Sequence, residues 1–303
     1  MQSECIADAT FPVGRNIALL NGFSAARSAL FLLPVVVPYF GDHVGLSFRE
    51  TLLTEAAFAA TMVLTEVPSG WLAGHWRRKN VLSTMAYLLS GICALALVEP
   101  PRHRVYRGRF DLSAMIQVVL QECRYNRVVL WVVLFAGGLM AATKASVWTQ
   151  QAYLLLLDVD LFWFGPITAA ALLVGGLVSL FEPSIDRSIG ASAALGIVVA
   201  GVVAGFVPGG SLPSTWMVPI LFVAFAAYGI AHPALKALVN DRGSSDRRAT
   251  ILSVLSLVPQ LSFVGLSPFV GRIVDDRGAD SGYLFLAGFA AISAGAAWYG
   301  LAR

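Results

Sequence analysis

The sequence predicts an all-α polytopic membrane protein, and three observations carry that prediction. The 303-residue chain is 57% hydrophobic and only 13% charged, with a mean hydropathy of +0.73, whereas soluble domains carry roughly 25% charged residues. Apolar runs of about 20 residues, the length that crosses a bilayer as a helix, recur nine times. The basic residues cluster between those runs, as they do in membrane-flanking loops, so a nucleic-acid face is not expected. Nothing alternates with the period of two that a transmembrane β-barrel needs.

The runs lie at 16–40, 51–73, 80–98, 128–148, 161–181, 189–208, 216–238, 250–273 and 282–301. Before the first, "MQSECIADATFP" has no basic n-region, so no removable signal peptide is expected. Several runs carry proline (Pro34, Pro38, Pro68, Pro219, Pro233, Pro259, Pro268), which a lipid-embedded helix tolerates when neighbours satisfy the freed carbonyl. Gly137–Gly138, Gly175–Gly176 and the GxxxG pair Gly201 and Gly205 offer small surfaces for close helix contact or points of bending. Trp71, Trp148, Trp163, Trp216 and Trp298 stand near run ends, where interfacial anchors sit. Cys5, Cys93 and Cys123 show neither paired nor metal-ligand spacing and read as free thiols.

Between the third and fourth runs, 99–127 opens on arginines. Leu112, Met115, Ile116 and Val119 then recur at i, i+3, i+4, i+7 behind a capping Asp111, which predicts an amphipathic helix at the membrane surface.

Loop charges give two incompatible orientations. With the N-terminus inside, 74–79 lies inside with Arg77, Arg78 and Lys79, as basic loops should. The next connection then falls outside although it holds Arg102, Arg104, Arg107, Arg109, Arg124 and Arg127. With 99–127 inside, the last six runs obey the rule: 149–160 and 209–215 lie outside without a basic residue, and 182–188 (Arg187) and 239–249 (Arg242, Arg247, Arg248) lie inside. The third run cannot satisfy both flanks. An odd number of crossings is missing between about residues 95 and 100.

"EVPSGWLAGHWRRKN" at 66–80 resembles the loop after the second helix of the major facilitator superfamily, through Glu66, Pro68, Ser69, Gly70, Leu72, Ala73, Arg78 and Lys79. The family's loop aspartate is Gly74 here and its second glycine is Arg77. "EPPR" at 99–102 is similar to the start of the family's central linker, "QQAYL" at 150–154 to a stretch after its seventh helix, and "NDRGSSDRRATILS" at 240–253 to the loop between its tenth and eleventh helices. The resemblance implies two six-helix halves around a central cavity that rock in alternating access. Here it covers three N-terminal helices (1–98), a basic linker with its amphipathic helix (99–127) and a C-terminal six-helix bundle (128–303). The region matching helices 4–6 has no counterpart. Three is odd, as the charge pattern requires.

The resemblance also implies a secondary transporter of a small molecule, with export one direction, in a bacterial cytoplasmic membrane. Its partners would be the lipid bilayer, an unknown substrate and, as an open option, a second copy of the chain. No cofactor is expected: there is no HExxH, paired-cysteine, phosphate-loop or nucleotide fingerprint, and no cluster of His, Asp or Glu that would suggest an enzyme. A non-transporting remnant or membrane scaffold stays open.

Charges inside runs are the first candidates for the substrate cavity, because each costs about 2.5–3.5 kcal/mol at mid-span on insertion scales. Arg27 near the middle of the first run either faces the cavity or forms a structural ion pair. Glu55, four residues inside the second run, is the best carboxylate for proton coupling. Lys144 stands about four residues from the outer end of its run and either binds substrate or snorkels. His232, one turn from Lys236, lines the cavity or packs through a hydrogen bond. By resemblance, Gln150 and Tyr153 close the outer mouth. Glu66, Pro68, Gly70, Arg78, Lys79, Asn240, Arg248 and Thr250 belong to the gating loops, with plain anchoring by basic loops as the alternative. Gly74 cannot supply the latching charge of the family's aspartate.

Overall fold

A computed structural model describes residues 35–60, 121, 123–242 and 248–303. All of them belong to one compact unit, Leu32–Val63 with Leu112–Arg303. The second unit, Met1–Phe31 with Leu64–Asp111, lies outside the described residues. So do Arg27, Glu66, Pro68, Gly70, Arg78, Lys79, the run 80–98 and the amphipathic stripe 112–119.

The described residues form helices joined by short connections, with no strand among them. A short helix, α1 (Val36–Tyr39), runs into a π-turn, Phe40–Val44. The left-handed Gly45 (φ 76°) ends it, and α2 (48–60) follows. Six helices of membrane length come next: α3 (Arg127–Leu156), α4 (Phe164–Ile189), α5 (Ala191–Ser211), α6 (Leu221–Arg242), α7 (Arg248–Arg277) and α8 (Ala279–Ala302). Short 3-10 helices, Leu161–Trp163 and Thr215–Ile220, lead into α4 and α6.

Local chemistry sets the ends. The Asn126 side chain accepts from Val128 N and Val129 N at 3.1 and 3.4 Å and opens α3. Asp160 accepts from Phe162 N at 2.8 Å before α4. One residue, Gly190, separates α4 from α5, and one, Gly278, separates α7 from α8. Their φ/ψ of 80°/153° and 94°/164° fall in a region essentially closed to residues with a Cβ, at a cost of about 1–3 kcal/mol. At Gly278 a Cβ would also stand 2.6 Å from Asp280 Oδ1. Gly278→Ala is therefore expected to lower the melting temperature in detergent measurably, whereas Gly288→Ala, in open space on α8, is not.

α3 is the centre of the bundle. α6, α7 and α8 pack on it, α5 packs on α8 and α6, and α4 packs mainly on α6. The burial pattern follows: α3 buries residues on all its faces, from Val129 to Leu154. On α4 the buried set is one stripe, Phe164, Thr168, Ala171, Gly175 and Glu182. Its other face exposes Leu172, Leu173, Leu177, Leu180 and Phe181. A helix with a leucine-rich outer face more than 20 residues long needs an apolar solvent there. Small residues make the close crossings. A Cβ on Gly175 would lie 2.8 Å from Phe225 O across the α4–α6 contact, where Gly229 faces Gly175.

Three readings of the sequence are corrected. The helices overrun the apolar runs: α3 continues to Leu156 rather than stopping at 148, and α7 reaches Arg277. Trp148 is buried, not an interfacial anchor, whereas Trp163 and Trp216 are exposed at helix starts. Of the GxxxG pair, Gly205 lies against Val223, but Gly201 faces open space, so the pair does not form a shared seam.

Candidate functional site

A cavity of about 440 Å³ opens between α3, α4, α6 and α7. α3 contributes Thr143, Lys144 and Trp148, α6 contributes Phe225, Tyr228 and His232, and α7 contributes Ser256 and Gln260. A second hollow, of about 380 Å³, runs along the outside of α8 between side chains such as Phe285, Phe289 and Ile292. It is apolar apart from Ser293 and reads as lipid-facing surface.

Lys144 is the chemical centre of the first cavity. It sits in the interior of α3, twelve residues from its C-terminal end, not near the end of a span, so it does not reach the interface by snorkelling along its own helix. Its Nζ donates to Gln260 Oε1 and lies 4.6 Å from the Phe263 ring centroid, a cation–π contact. Glu55 on α2 is half-buried and supplies the opposing charge that acts on Lys144. One cation in the bundle is thus met by an amide and a ring face one turn apart on α7, with the Glu55 carboxylate acting on it only through charge.

His232 lies on the same cavity, stacked on Tyr228 with ring centroids 5.1 Å apart and planes 17° apart. Lys236, one turn on, is exposed.

Gln150 and Tyr153 lie elsewhere. Both are buried. Gln150 Nε2 donates to Thr168 Oγ1 at 3.1 Å, tying α3 to α4. Tyr153 Oη donates to Gly209 O at 2.7 Å. That carbonyl is among the last four of α5, which have no partner within their own helix. Gln151, beside Gln150, accepts from Val37 N at 2.8 Å through its Oε1 and holds α1 against α3. Of the gating-loop residues, Asn240 falls in the last turn of α6, and Arg248 and Thr250 in the first turn of α7.

Sequence reading missed Gln260, Tyr228, Ser256 and Trp148. A signal existed for two of them: Ser253, Ser256 and Gln260 are polar residues at helical spacing inside an apolar run. Tyr228 and Trp148 look like any aromatic in a membrane helix.

The arrangement offers a cation, an amide, hydroxyls and aromatic walls. That is an equipment for holding a polar molecule. Among the described residues no group of three or more His, Cys, Asp or Glu comes together.

No family profile matches the chain, and no curated protein matches it. Among solved structures it is similar to the crystal structure of the nucleoside transporter NupG, determined as a point mutant. The likeness covers 94% of this chain and 90% of that one at a TM-score of 0.53, with 13% sequence identity. At that identity the likeness speaks for the fold alone. With the six apolar helices, it defines the chain as an integral, all-α polytopic membrane protein with a transporter fold.

Proposed function

We propose that the chain is a secondary transporter of the major facilitator type that moves a small molecule by alternating access in a bacterial cytoplasmic membrane. The observation that carries this reading is the Lys144-centred polar cavity between membrane-length helices of a transporter fold. A cation kept at that depth is costly unless it is used.

The ends of the bundle support the orientation inferred from loop charge. Consecutive helices joined by short connections place Arg124 and Arg127, Arg187, Arg242 with Arg248, and Arg303 at one end. Asp158, Asp160, Asp275, Asp276 and Asp280 fall at the other, with Arg272 and Arg277 beside them. The first end also carries Glu182, Asp186 and Asp241, but there arginine outnumbers acid, whereas at the second acid outnumbers arginine; the Arg-rich end belongs inside. Arg49 N donates to Asp275 Oδ2 at 3.0 Å, so α2 begins at the outer end, as a first run leading outward requires. If 51–73 crosses, an even number of crossings must separate it from α3. The sequence offers one apolar run there, 80–98. This parity supports the reading that the region matching helices 4–6 is missing.

It also makes a prediction. In a cysteine-free background, Val105→Cys is expected to resist a membrane-impermeant maleimide applied to intact cells, while Asp160→Cys reacts. Labelling at 105 with protection at 160 would reverse the orientation.

Transport itself is tested with the purified chain in vesicles. Saturable flux that discriminates among substrates supports the proposal, and its direction under an imposed gradient shows whether export is favoured. No saturable flux of any solute that the protein binds would leave the non-transporting remnant.

A further inference from the structure

Resting on the transporter reading, we propose that the cavity takes a small organic monoanion with a flat apolar body, its carboxylate or equivalent head group bound at Lys144 and its body against Tyr228, His232 and Trp148.

Four features of the site lead there. The first is charge. Among the described residues, Lys144 is the one Lys, Arg, Asp or Glu side chain in the cavity wall. A cationic ligand would be repelled by it, and a dianion would carry a second charge with no partner in the wall, which a low-dielectric site penalises heavily. A single negative charge completes the wall. The second is donor capacity. An ammonium has three N–H donors. Gln260 Oε1 takes one; Thr143 on α3, whose hydroxyl donates to Met140 O at 3.1 Å, and Ser256 on α7 add hydroxyl oxygens to the same wall. Charge-assisted bonds of this kind are the stronger ones.

The third feature is the shape of the remaining wall. Tyr228 and His232, both in the cavity wall, are stacked nearly parallel, 17° apart. Trp148 and Phe225 supply further aromatic surface. A flat body gains offset-stacked and edge contacts there that an extended polar chain does not. The volume, about 440 Å³, lies in the range of small-molecule sites. The fourth is Glu55. It stands outside the cavity wall but acts on Lys144. The resident carboxylate competes with any ligand anion for the same cation, which keeps the empty site from holding an uncompensated charge.

Binding is read by quenching of intrinsic tryptophan fluorescence and by calorimetry on the full chain in nanodiscs. Three probes of matched shape are used: 2-naphthoate, neutral 2-naphthalenemethanol and cationic 2-naphthylmethylammonium. The proposal expects naphthoate to bind at least tenfold tighter than the alcohol and the ammonium to bind more weakly still. Lys144→Gln should bring naphthoate down to the level of the alcohol, and Lys144→Arg should keep the preference. Glu55→Gln should tighten naphthoate several-fold by removing the competing carboxylate. Equal affinity for acid and alcohol in the unaltered chain overturns the proposal, as does a preference that survives Lys144→Gln. Should Lys144→Gln fail to fold, the selectivity of the unaltered chain decides alone. Because the readout is binding, an anion-selective site without flux would overturn the transporter reading and leave this one. Flux of a substrate with no anion preference would do the reverse.

Discussion

Tyr283→Ala is expected to loosen the bundle more than any other single truncation. Tyr283, on α8, is fully buried. Its ring meets Tyr153 of α3 edge-on at 5.0 Å and 78°, and Phe206 of α5 at 5.1 Å and 71°. Its hydroxyl donates to Ser146 O on α3 at 3.4 Å. Three helices therefore share one aromatic joint, and α5 reaches α3 there through Tyr153 and Gly209 as well. In water-soluble proteins such a truncation costs about 3–5 kcal/mol, part of it transfer from water. In a bilayer the unfolded helices remain in lipid, and that part shrinks. The cavity remains: at ~24 cal/mol per Å³, a ring-sized hole of about 100 Å³ costs about 2.4 kcal/mol. Tyr283→Phe keeps the ring and loses only a long hydrogen bond, of the class averaging about 0.6 kcal/mol inside membranes. Thermal or SDS-driven unfolding in detergent should show a large drop for Ala and a small one for Phe. Equal drops would mean that the hydroxyl, not the packing, makes the joint.

The same region shows why some of the fold was legible and some was not. A membrane helix announces itself through length and apolarity, so the last six runs each coincide with one of α3 to α8. Their ends are another matter. Reading α3 to stop at Trp148 treats Thr149, Gln150 and Gln151 as the start of a loop. In the fold all three are buried, because each polar group has a partner: Thr149 Oγ1 donates to Ala145 O at 3.0 Å, Gln150 to Thr168, and Gln151 accepts from Val37 N. A hydropathy window registers a polar side chain at its transfer cost and has no knowledge of its partner, whether that lies one turn back, on the next helix or, as for Gln151, 114 residues away. The error carried over to Lys144. Eight more residues of helix place that cation well inside the bundle, and the contacts that hold it there come from Gln260 and Phe263 on α7, more than a hundred residues on in sequence.

The small residues divide in the same way. Composition marks Gly137, Gly138, Gly175, Gly176, Gly201 and Gly205 alike, but only the rotation of each helix in the bundle shows which of them touch. Gly138 and Gly175 do, while Gly176 and Gly201 face open space. A glycine pair in sequence spans 100° of helix, so one member can sit in a seam while its neighbour looks out at lipid.

Gly138→Leu tests that distinction at the seam between α3 and α8, the most extensive helix contact among the described residues. A Cβ there would lie 2.5 Å from Ser293 Oγ, 2.9 Å from Ser293 Cβ and 3.0 Å from Ala294 N. A hydroxyl can rotate away, but a backbone nitrogen cannot, so the two helices must part. Parting them costs the van der Waals contact on which helix association in lipid depends. Overpacking in a filled core costs about 1–3 kcal/mol, and a leucine adds three more carbons beyond the Cβ that already collides. Gly138→Ala should fall between the unaltered protein and Gly138→Leu. Gly176→Ala is the matched control: its Cβ meets nothing within 4 Å, and alanine is the better helix former by about 1 kcal/mol. The expected order of melting temperatures in detergent is Gly176→Ala at or above the unaltered chain, then Gly138→Ala, then Gly138→Leu. If Gly138→Leu melts with the unaltered protein, α3 and α8 do not meet at this glycine, and the central position of α3 would have to be redrawn.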